Sequence, residues 1–573
     1  MPALPRTGDA GEETMRMNGA RAIAQILKQE GVEYLFCYPN QPLIDAAAEL
    51  GIRPIIARTE KTMINMADGY TRTTNGRRLG VCVVQEGPGI ENAFGGIAQA
   101  FADSIPLLLL PGGPDQHRRG VPTGFDPVVN YRHITKWAAR VNFADRIPEL
   151  LRRAFTSLRT GPAGPILLEI PSDVAAAPVD AAPSAYTPAR AYKSSGDPQD
   201  VVKAARLLLA AQRPLLHAGH GVLWAEAWEE LRELAELVAT PVMTTMAAKG
   251  AFPEDHPLAA GTGGHTLSGP AAQCLVRADL VFGVGCSFSA GNFSTPIPPG
   301  KTMVQITNCE RDIDKAYAID HAVLGDAKLV LRQLIDVIKS ELRATPRSSA
   351  AVVKELQAAR AAYWQEWQPR LTSDETPINP YRVIQELKQA VDPRQSVVTH
   401  DSGNPRDQLL TFYEALTPRG YLGWGKSTQL GTGLGMALGA KLAAPEKLVV
   451  NVMGDLAFGT AGLEVETAVR SDLPILTILL NNSCMGGYSH HMPTASERFG
   501  SNRLSGHYAA VAAGLGAFSE QVQRPEDIAP ALRRGIESTR NGRTAVLEFI
   551  TKEEPIFPAA RAALAQVGSH RSA

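Results

Sequence analysis

Cysteine is scarce in this chain: six among 573 residues, at positions 37, 82, 274, 286, 309 and 484. They are scattered, mostly within apolar runs, and no two form a C-x-x-C pair, which excludes the usual zinc-ligand and dithiol spacings. They read as reduced core residues rather than bridges. Long apolar runs are also missing. None approaches the roughly 20 residues of a membrane-spanning helix, and the opening MPALPRTGDAGEETMRMNG has no apolar core of the kind a signal peptide carries. The expected location is cytoplasmic, behind a short disordered head over residues 1–14. An excess of either charge is lacking as well. Lys plus Arg (57) nearly cancel Asp plus Glu (58), for a formal net charge of −1, so nothing favours a nucleic-acid or membrane partner. A small-molecule enzyme is what these absences leave. At about 150 residues per domain, the length gives three or four domains with large buried cores.

Alternating helix and strand signals organise the chain. Residues 15–185 alternate amphipathic segments such as GARAIAQILKQEG with short apolar runs (YLFCY, GVCVVQ, PLLLLP, PILLEI), the pattern of a parallel sheet with helical crossovers. A Pro/Ala-rich stretch, VAAAPVDAAPSAYTPARAYKSSGDP, then reads as extended surface chain. Residues 196–340 alternate again. Two of their apolar runs end in glycine-rich turns, Gly219-His220-Gly221 and Gly283-Val284-Gly285, where backbone could approach a nucleotide. A helical connector, AVVKELQAARAAYWQEWQPRL, leads to a third block over 377–555. Residues 556–573 form a tail that either folds over the site or stays mobile. The predicted fold class is α/β, three consecutive doubly wound parallel-sheet domains.

The third block carries the most informative pattern. An apolar strand, KLVVNVM, delivers Gly454-Asp455-Leu456-Ala457, and a helix-compatible segment, AGLEVETAVRS, follows. A second apolar strand, PILTILL, brings Asn481-Asn482 to the same sheet edge, with Asn482 lying 27 residues after Asp455. The Asp455 carboxylate, the Asn482 amide oxygen and a backbone carbonyl near Cys484 are hard oxygen donors. They suit Mg²⁺ or Ca²⁺ completed by water and phosphate oxygens. Gly454 permits a tight turn, so a diphosphate can approach amide N–H groups at the helix start. Either half alone reads equally as an ordinary strand-to-helix turn.

The G-D-x(26)-N spacing resembles the cofactor motif of thiamine diphosphate enzymes. A second element of that family stands far upstream. Arg58-Thr59-Glu60, with Ala67-Asp68-Gly69-Tyr70-Thr71-Arg72 after it, is similar to the family's R-H-E … A-x-G-Y-A-R signature. Gly87-Pro88-Gly89-Ile90-Glu91-Asn92 and the alanine-rich stretch that follows resemble acetolactate synthases. The resemblance covers about residues 15–555 and implies pyrimidine-binding (15–185), middle (196–340) and diphosphate-binding (377–555) domains, with thiamine diphosphate and Mg²⁺ as cofactors. It implies that Glu60 hydrogen-bonds N1′ of the aminopyrimidine. Aligning Trp424 to Gly439 with the family run S-G-G-L-G-A-M-G-F-G-L-P-A-A-I-G puts Leu430 where a bulky side chain wedges the cofactor into its bent form. Gly87, Asn92, Gly403, Asn404, Thr428, Gly454, Leu456 and Ala457 are implied to line the cofactor. Asp455, Asn482 and the Cys484 carbonyl are implied to hold the metal. Since Glu60 and the metal motif lie in different blocks, and two subunits complete each site in the family, an obligate homodimer is implied, assembled further as a homotetramer. The plainer readings are a salt bridge of Glu60 with Arg58 or Lys61, and a core leucine at 430.

Several positions depart from the family pattern. Leu456 replaces the last glycine of G-D-G, and Asn404-Pro405 replaces the Gln-His of D-x-G-Q-H. Tyr38-Pro39-Asn40-Gln41 replaces Y-P-G-G beside the substrate, adding two amides that either bind a polar substrate or cap the next helix. Where acetolactate synthases carry a Trp-Gln pair, this chain reads Met485-Gly486-Gly487-Tyr488-Ser489-His490-His491. Tyr488, His490 and His491 are candidate proton shuttles or acceptor-site donors, or solvated loop residues. The N-N-N-G-I-Y run of acyl-CoA relatives is absent too. In the middle block, Gly250 to Pro257 resembles an acetolactate synthase run, yet CSFSAGNF after Gly285 lacks that family's arginine and paired aspartates. FAD, ADP or no ligand all stay open there. The expected activity is an acetolactate synthase-like lyase or carboligase that decarboxylates a 2-oxo acid and passes the acyl carbanion to a proton or second carbonyl. The alternatives are a 2-hydroxyacyl-CoA lyase, splitting an acyl-CoA into formyl-CoA and an aldehyde or ketone, and a catalytically silent structural or regulatory homologue.

Overall fold

The computed structural model describes residues 17–39, 41–179, 186–342 and 346–569. The expected head and Asn40 lie outside the described residues. Three six-stranded sheets, every neighbouring pair parallel, follow one another along the chain. The first holds β1 (Tyr34–Cys37), β2 (Arg53–Ile56), β3 (Gly80–Val84), β4 (Leu107–Gly113), β5 (Trp137–Arg140) and β6 (Ile166–Pro171), in the order β2-β1-β3-β4-β6-β5. The second holds β7 (Pro214–Ala218), β8 (Val242–Thr245), β9 (Ala259–Gly263), β10 (Leu280–Val284), β11 (Thr302–Thr307) and β12 (His321–Leu324), in the order β12-β11-β10-β7-β8-β9. The third holds β13 (Ser396–His400), β14 (Tyr421–Leu422), β15 (Leu448–Gly454), β16 (Leu476–Asn481), β17 (Phe518–Val522) and β18 (Ala545–Ile550), in the order β14-β13-β15-β16-β18-β17. Central strands such as β3, β10 and β16 are buried throughout. Helices cover both sheet faces, and that is why these strands read as continuous apolar runs.

The strand orders fix where ligands can enter. Open α/β sheets bind them beyond the carboxyl ends of the strands, where the order reverses. The first and third sheets share one order and reverse between β1 and β3 and between β13 and β15; the middle sheet reverses between β7 and β10. The first and third domains also share a core, in which Phe36, Met63 and Ile64 join Leu434, Met453 and Phe458. The seam is a crossing of the helices Glu60–Thr73 and Thr432–Ala443. A Cβ on Gly439 would stand 1.8 Å from the Met66 carbonyl oxygen, and one on Gly69 2.1 Å from that of Met436. Only glycine allows the two backbones this close.

Two expectations are corrected. The Pro/Ala-rich stretch is not all surface chain, because Val179 and Tyr186 are buried in the first domain's core and the Tyr186 hydroxyl donates to Glu30. The helix-compatible segment after Asp455 is helical as expected, in two short helices, Asp455–Ala461 and Glu464–Arg470. The tail takes neither expected course. Its helix Ala560–Ser569 packs on the middle domain's helix Gly269–Arg277, with Ala560, Ala563 and Leu564 in that core. All six cysteines are free. No helix among the described residues is long and apolar enough to cross a membrane.

Candidate functional site

The metal-motif residues meet at the third sheet's reversal. Strands β15 and β16 are neighbours in register, Gly454 opposite Leu480, so Asp455 and Asn482 leave the sheet side by side. Asp455 opens a helix and is 3% exposed. Its Oδ1 accepts from the Leu456 N–H at 2.8 Å, while its Oδ2 is buried with no partner among the described residues. Burial pushes this carboxyl up, against the opposing pull of the Leu456 N–H and, more weakly, of the Ser483 and Asn482 N–H groups. The half-buried Asn482 accepts the Cys484 N–H at 3.1 Å through its amide oxygen. Between them Ser483 takes a left-handed conformation, φ +54°, which costs a non-glycine residue about 1 kcal/mol or more and is typical of ligand-clamping turns. Burial also pushes the Cys484 thiol up to about 12. Leu456 is part-buried and Ala457 buried, both in the helix that Asp455 begins.

Two further segments converge here. Gly403 (φ +85°) caps the helix Asn404–Leu409. A Cβ on Gly486 would lie 2.5 Å from the Asn404 Nδ2, and one on Gly454 3.7 Å from the Pro405 Cγ. The turn carrying Thr428 and Leu430, both part-buried, is pinned by Asp401. That carboxylate, fully buried, accepts from Ser402 N (2.8 Å), Gly431 N (2.9 Å) and Gly433 N (2.9 Å). Burial pushes it up to about 6 despite these donors. Trp424 stacks on His400 and donates to its carbonyl at 2.7 Å.

Glu60 arrives at the same junction from the first domain. It is 5% exposed at the first position of its helix, where Thr59 caps Thr62 N. The Glu464 carboxylate accepts the Arg58 and Thr59 N–H groups at 3.1 and 2.9 Å, fastening this turn to the third domain. The salt-bridge reading of Glu60 fails, since Arg58 pairs with Glu466 at 3.0 Å and Lys61 donates to the Leu430 carbonyl. No described residue forms a hydrogen bond or ion pair with the Glu60 carboxylate.

Other candidates take plainer positions. The Gln41 side chain accepts from Leu43 N at 2.8 Å and so caps its helix. Gly87 (φ +65°) caps the helix Pro88–Ala102, with Asn92 exposed on it. Tyr488, His490 and His491 are exposed in the single chain. Asp401, Glu464 and Lys61 were not foreseen. Asp401 stands at the aspartate of the D-x-G-Q-H-like run, with nothing in that run to mark its hold on a turn 30 residues on, and Glu464 carried no sequence signal.

In the middle domain a cavity of about 910 Å³ opens at the reversal between β7 and β10. Both glycine-rich turns line it, but their closest approach is to each other: a Cβ on Gly219 would be 2.2 Å from the Gly285 carbonyl oxygen. His217 Nδ1, Trp224 Nε1 and Thr295 Oγ1 on its wall are buried without partners among the described residues. Its other end reaches Gly425 and Lys426, beside the Leu430 turn.

An unpaired buried carboxylate, a hard amide oxygen and two helix starts at one sheet reversal give an α/β protein chemically fitted to a cation and a phosphate-bearing ligand. No group of three or more His, Cys, Asp or Glu side chains placed to hold a metal occurs among the described residues, so beside the Asp455 carboxylate such a cation would draw on amide, carbonyl and phosphate oxygens. Comparison with known proteins makes the class specific. Residues 17–137, 201–334 and 401–549 match, in turn, the N-terminal TPP binding, central and C-terminal TPP binding domains of thiamine pyrophosphate enzymes. The chain is 30% identical over 546 residues to a probable acetolactate synthase large subunit of Methanocaldococcus jannaschii, covering 91% of this chain and 90% of the relative. It is 28% identical over 566 residues to the acetolactate synthase isozyme 3 large subunit of Escherichia coli K12, covering 95% and 96%. It is 29% identical over 542 residues to the glyoxylate carboligase of Escherichia coli O157:H7, covering 91% and 90%. The chain belongs to the thiamine pyrophosphate enzyme family.

Proposed function

We propose that this protein is a thiamine diphosphate- and Mg²⁺-dependent carboligase that decarboxylates a 2-oxo acid and joins the acyl unit to a second carbonyl. The observation that carries the reading is the unpartnered, buried Asp455 Oδ2 beside Asn482 and the left-handed Ser483. A carboxylate left in that state costs free energy unless a cation completes it. Asp455, Asn482 and the Cys484 carbonyl hold Mg²⁺, and the helix starts at Gly454 and Gly403 hold the diphosphate. When bound, thiamine diphosphate supplies the carbon nucleophile and the electron sink for C–C cleavage. Glu60, buried and free of competing partners, would hydrogen-bond the aminopyrimidine nitrogen. Lys61 and Asp401 fix the Leu430 turn, keeping that side chain under the cofactor.

Relatives named as acetolactate synthases and as a glyoxylate carboligase support 2-oxo acid carboligation over acyl-CoA cleavage or a silent homologue. The middle cavity is of nucleotide size and carries unpaired polar atoms, so FAD or ADP belongs there if either is carried. Exposed Asn92 and Phe94 on one helix, and exposed Tyr488, His490, His491 and Phe499 beyond the metal motif, support a homodimer in which a second copy covers both faces. The test is direct. Full-length protein is incubated with thiamine diphosphate, Mg²⁺ and either pyruvate or glyoxylate, and CO₂ and the coupled product are followed. Turnover of either acid supports the reading. Absence of CO₂ from both, with the cofactor shown to be bound, sinks it.

A further inference from the structure

Glu60 is buried, yet no described residue bonds its carboxylate, so its placement comes from the backbone on either side. Both sides are held by the third domain. Before it, Arg58 N donates to both oxygens of Glu464 at 3.1 Å, and Thr59 N donates to one of them at 2.9 Å. After it, the Lys61 ammonium donates to the Leu430 carbonyl. Thr59 also caps the helix that Glu60 begins, its Oγ1 accepting from Thr62 N at 3.2 Å, and the same hydroxyl lies 3.3 Å from Glu464 Oε1. The Thr467 hydroxyl completes the set, donating to Glu464 Oε2 at 2.7 Å.

Glu464 is 1% exposed. A carboxylate buried without a bonded cation is tolerated only where donors converge on it, and here two backbone N–H groups and two hydroxyls do so. The other ties to this turn are looser. Arg58 pairs with Glu466 at 3.0 Å with half of its side chain in solvent, and the comparably exposed Arg470 reaches the Ile56 carbonyl at 2.7 Å. Exposed pairs of this kind contribute little, so Glu464 is the chief hold on the Glu60 turn. Its helix follows directly on the Asp455 helix, with Gly462 and Leu463 between them. One segment therefore carries the Asp455 carboxylate at one end and the hold on Glu60 at the other.

We infer that Glu464 is the positioning residue for Glu60: across the boundary between the first and third domains it fixes the turn from which Glu60 reaches the aminopyrimidine nitrogen. The inference rests on the role proposed for Glu60. It adds a residue that acts through Glu60 alone and touches neither cofactor nor substrate.

The test uses the full chain loaded with thiamine diphosphate and Mg²⁺ and needs no substrate. Exchange of the thiazolium C2 proton with D₂O, stopped by acid and read by proton NMR, reports what Glu60 does for the cofactor. A displacement of about 1 Å at a reacting group costs about 10²-fold. E464A is expected to slow exchange by that factor, with cofactor affinity within a few-fold of wild type. E464Q keeps an oxygen toward Arg58 N and Thr59 N and should retain most of the rate. E464D, which withdraws the carboxylate by one methylene, should fall between them and decides the matter if E464A does not fold. Either variant combined with E60Q should exchange no more slowly than E60Q alone, since nothing is left to position. Exchange at the wild-type rate in E464A, or in E464D where E464A does not fold, overturns the inference, as do losses that add to that of E60Q. If exchange falls in E464A and returns in E464Q while neither pyruvate nor glyoxylate is turned over, the positioning role stands and the carboligase reading fails. If wild type turns over either acid and exchange is unmoved in E464A, the reverse holds.

Discussion

Asp455 shows what a buried, unpartnered carboxylate oxygen costs a fold. Its folded pKa is raised by burial, so between the ordinary carboxylate value of about 3.9 and the folded value the native state binds more protons than the unfolded one. Stability therefore falls as pH rises through that window and stays lower above it. Asp455→Asn removes the charge and keeps the shape. The cofactor-free variant should melt above cofactor-free wild type at pH 7, with the gap closing as pH falls toward about 4. The same variant should lose the stabilisation that thiamine diphosphate with Mg²⁺ gives wild type. A D455N that melts lower than wild type at pH 7, or still responds to the cofactor pair, contradicts the role assigned here. Glu60 has the complementary part. Glu60→Gln should lower turnover by about 10²- to 10⁴-fold, the range for a lost general acid–base group, while the cofactor's affinity, read by tryptophan fluorescence, stays within a few-fold. Full turnover in E60Q would leave the hydrogen-bonding role without support.

At the scale of elements, the seam between the Glu60 and Thr432–Ala443 helices sets the site's geometry, because Glu60 begins one helix and Leu430 immediately precedes the other. Gly439→Ala would drive a methyl into the Met66 carbonyl, a backbone clash that no rotamer change relieves. The expected cost is about 3 kcal/mol, or roughly 6–12 °C in melting midpoint, together with lost turnover. Gly514→Ala, at a helical glycine with nothing within 4 Å of its Cβ, is the matched control and should leave both nearly unchanged. A silent G439A would mean that the two helices can separate without consequence. The same scale separates what was legible in the sequence from what was not. Buried central strands such as β10, β15 and β16 announce themselves as apolar runs. The four-residue edge strands β2, β5 and β12 do not, since their exposed faces break the run. Asp455 and Asn482 were readable because a strand and a fixed spacing deliver each. Asp103, Asp401 and Glu464 were not, because the backbone groups they hold lie 30 to 406 residues away, for Asp103 and Glu464 in another domain. The tail was undecidable for a related reason: a short Ala-rich helix has no preferred docking face until the middle domain presents one.

At the scale of the whole molecule, the first and third domains share a core and one strand order, and the middle domain meets both around the cavity. The tail helix links that middle domain to the third. Its backbone bonds Ala560 N to the His265 carbonyl and Leu267 N to the Pro558 carbonyl, each at 2.9 Å. Phe557 packs on the His265 ring, and His265 reaches Asp407 at 3.2 Å, the carboxylate that holds Arg406. Removing residues 557–573 would uncover the apolar face formed by Leu267, Ala271 and Leu275, at about 2–4 kcal/mol for two to three uncovered side chains. It would also release His265 from one of its three ring contacts, with Phe557, Phe293 and Asp407. Calorimetry of the truncated protein should therefore show the middle domain melting as a separate, earlier transition. A single transition at the wild-type midpoint would show that the domain junction holds without the tail.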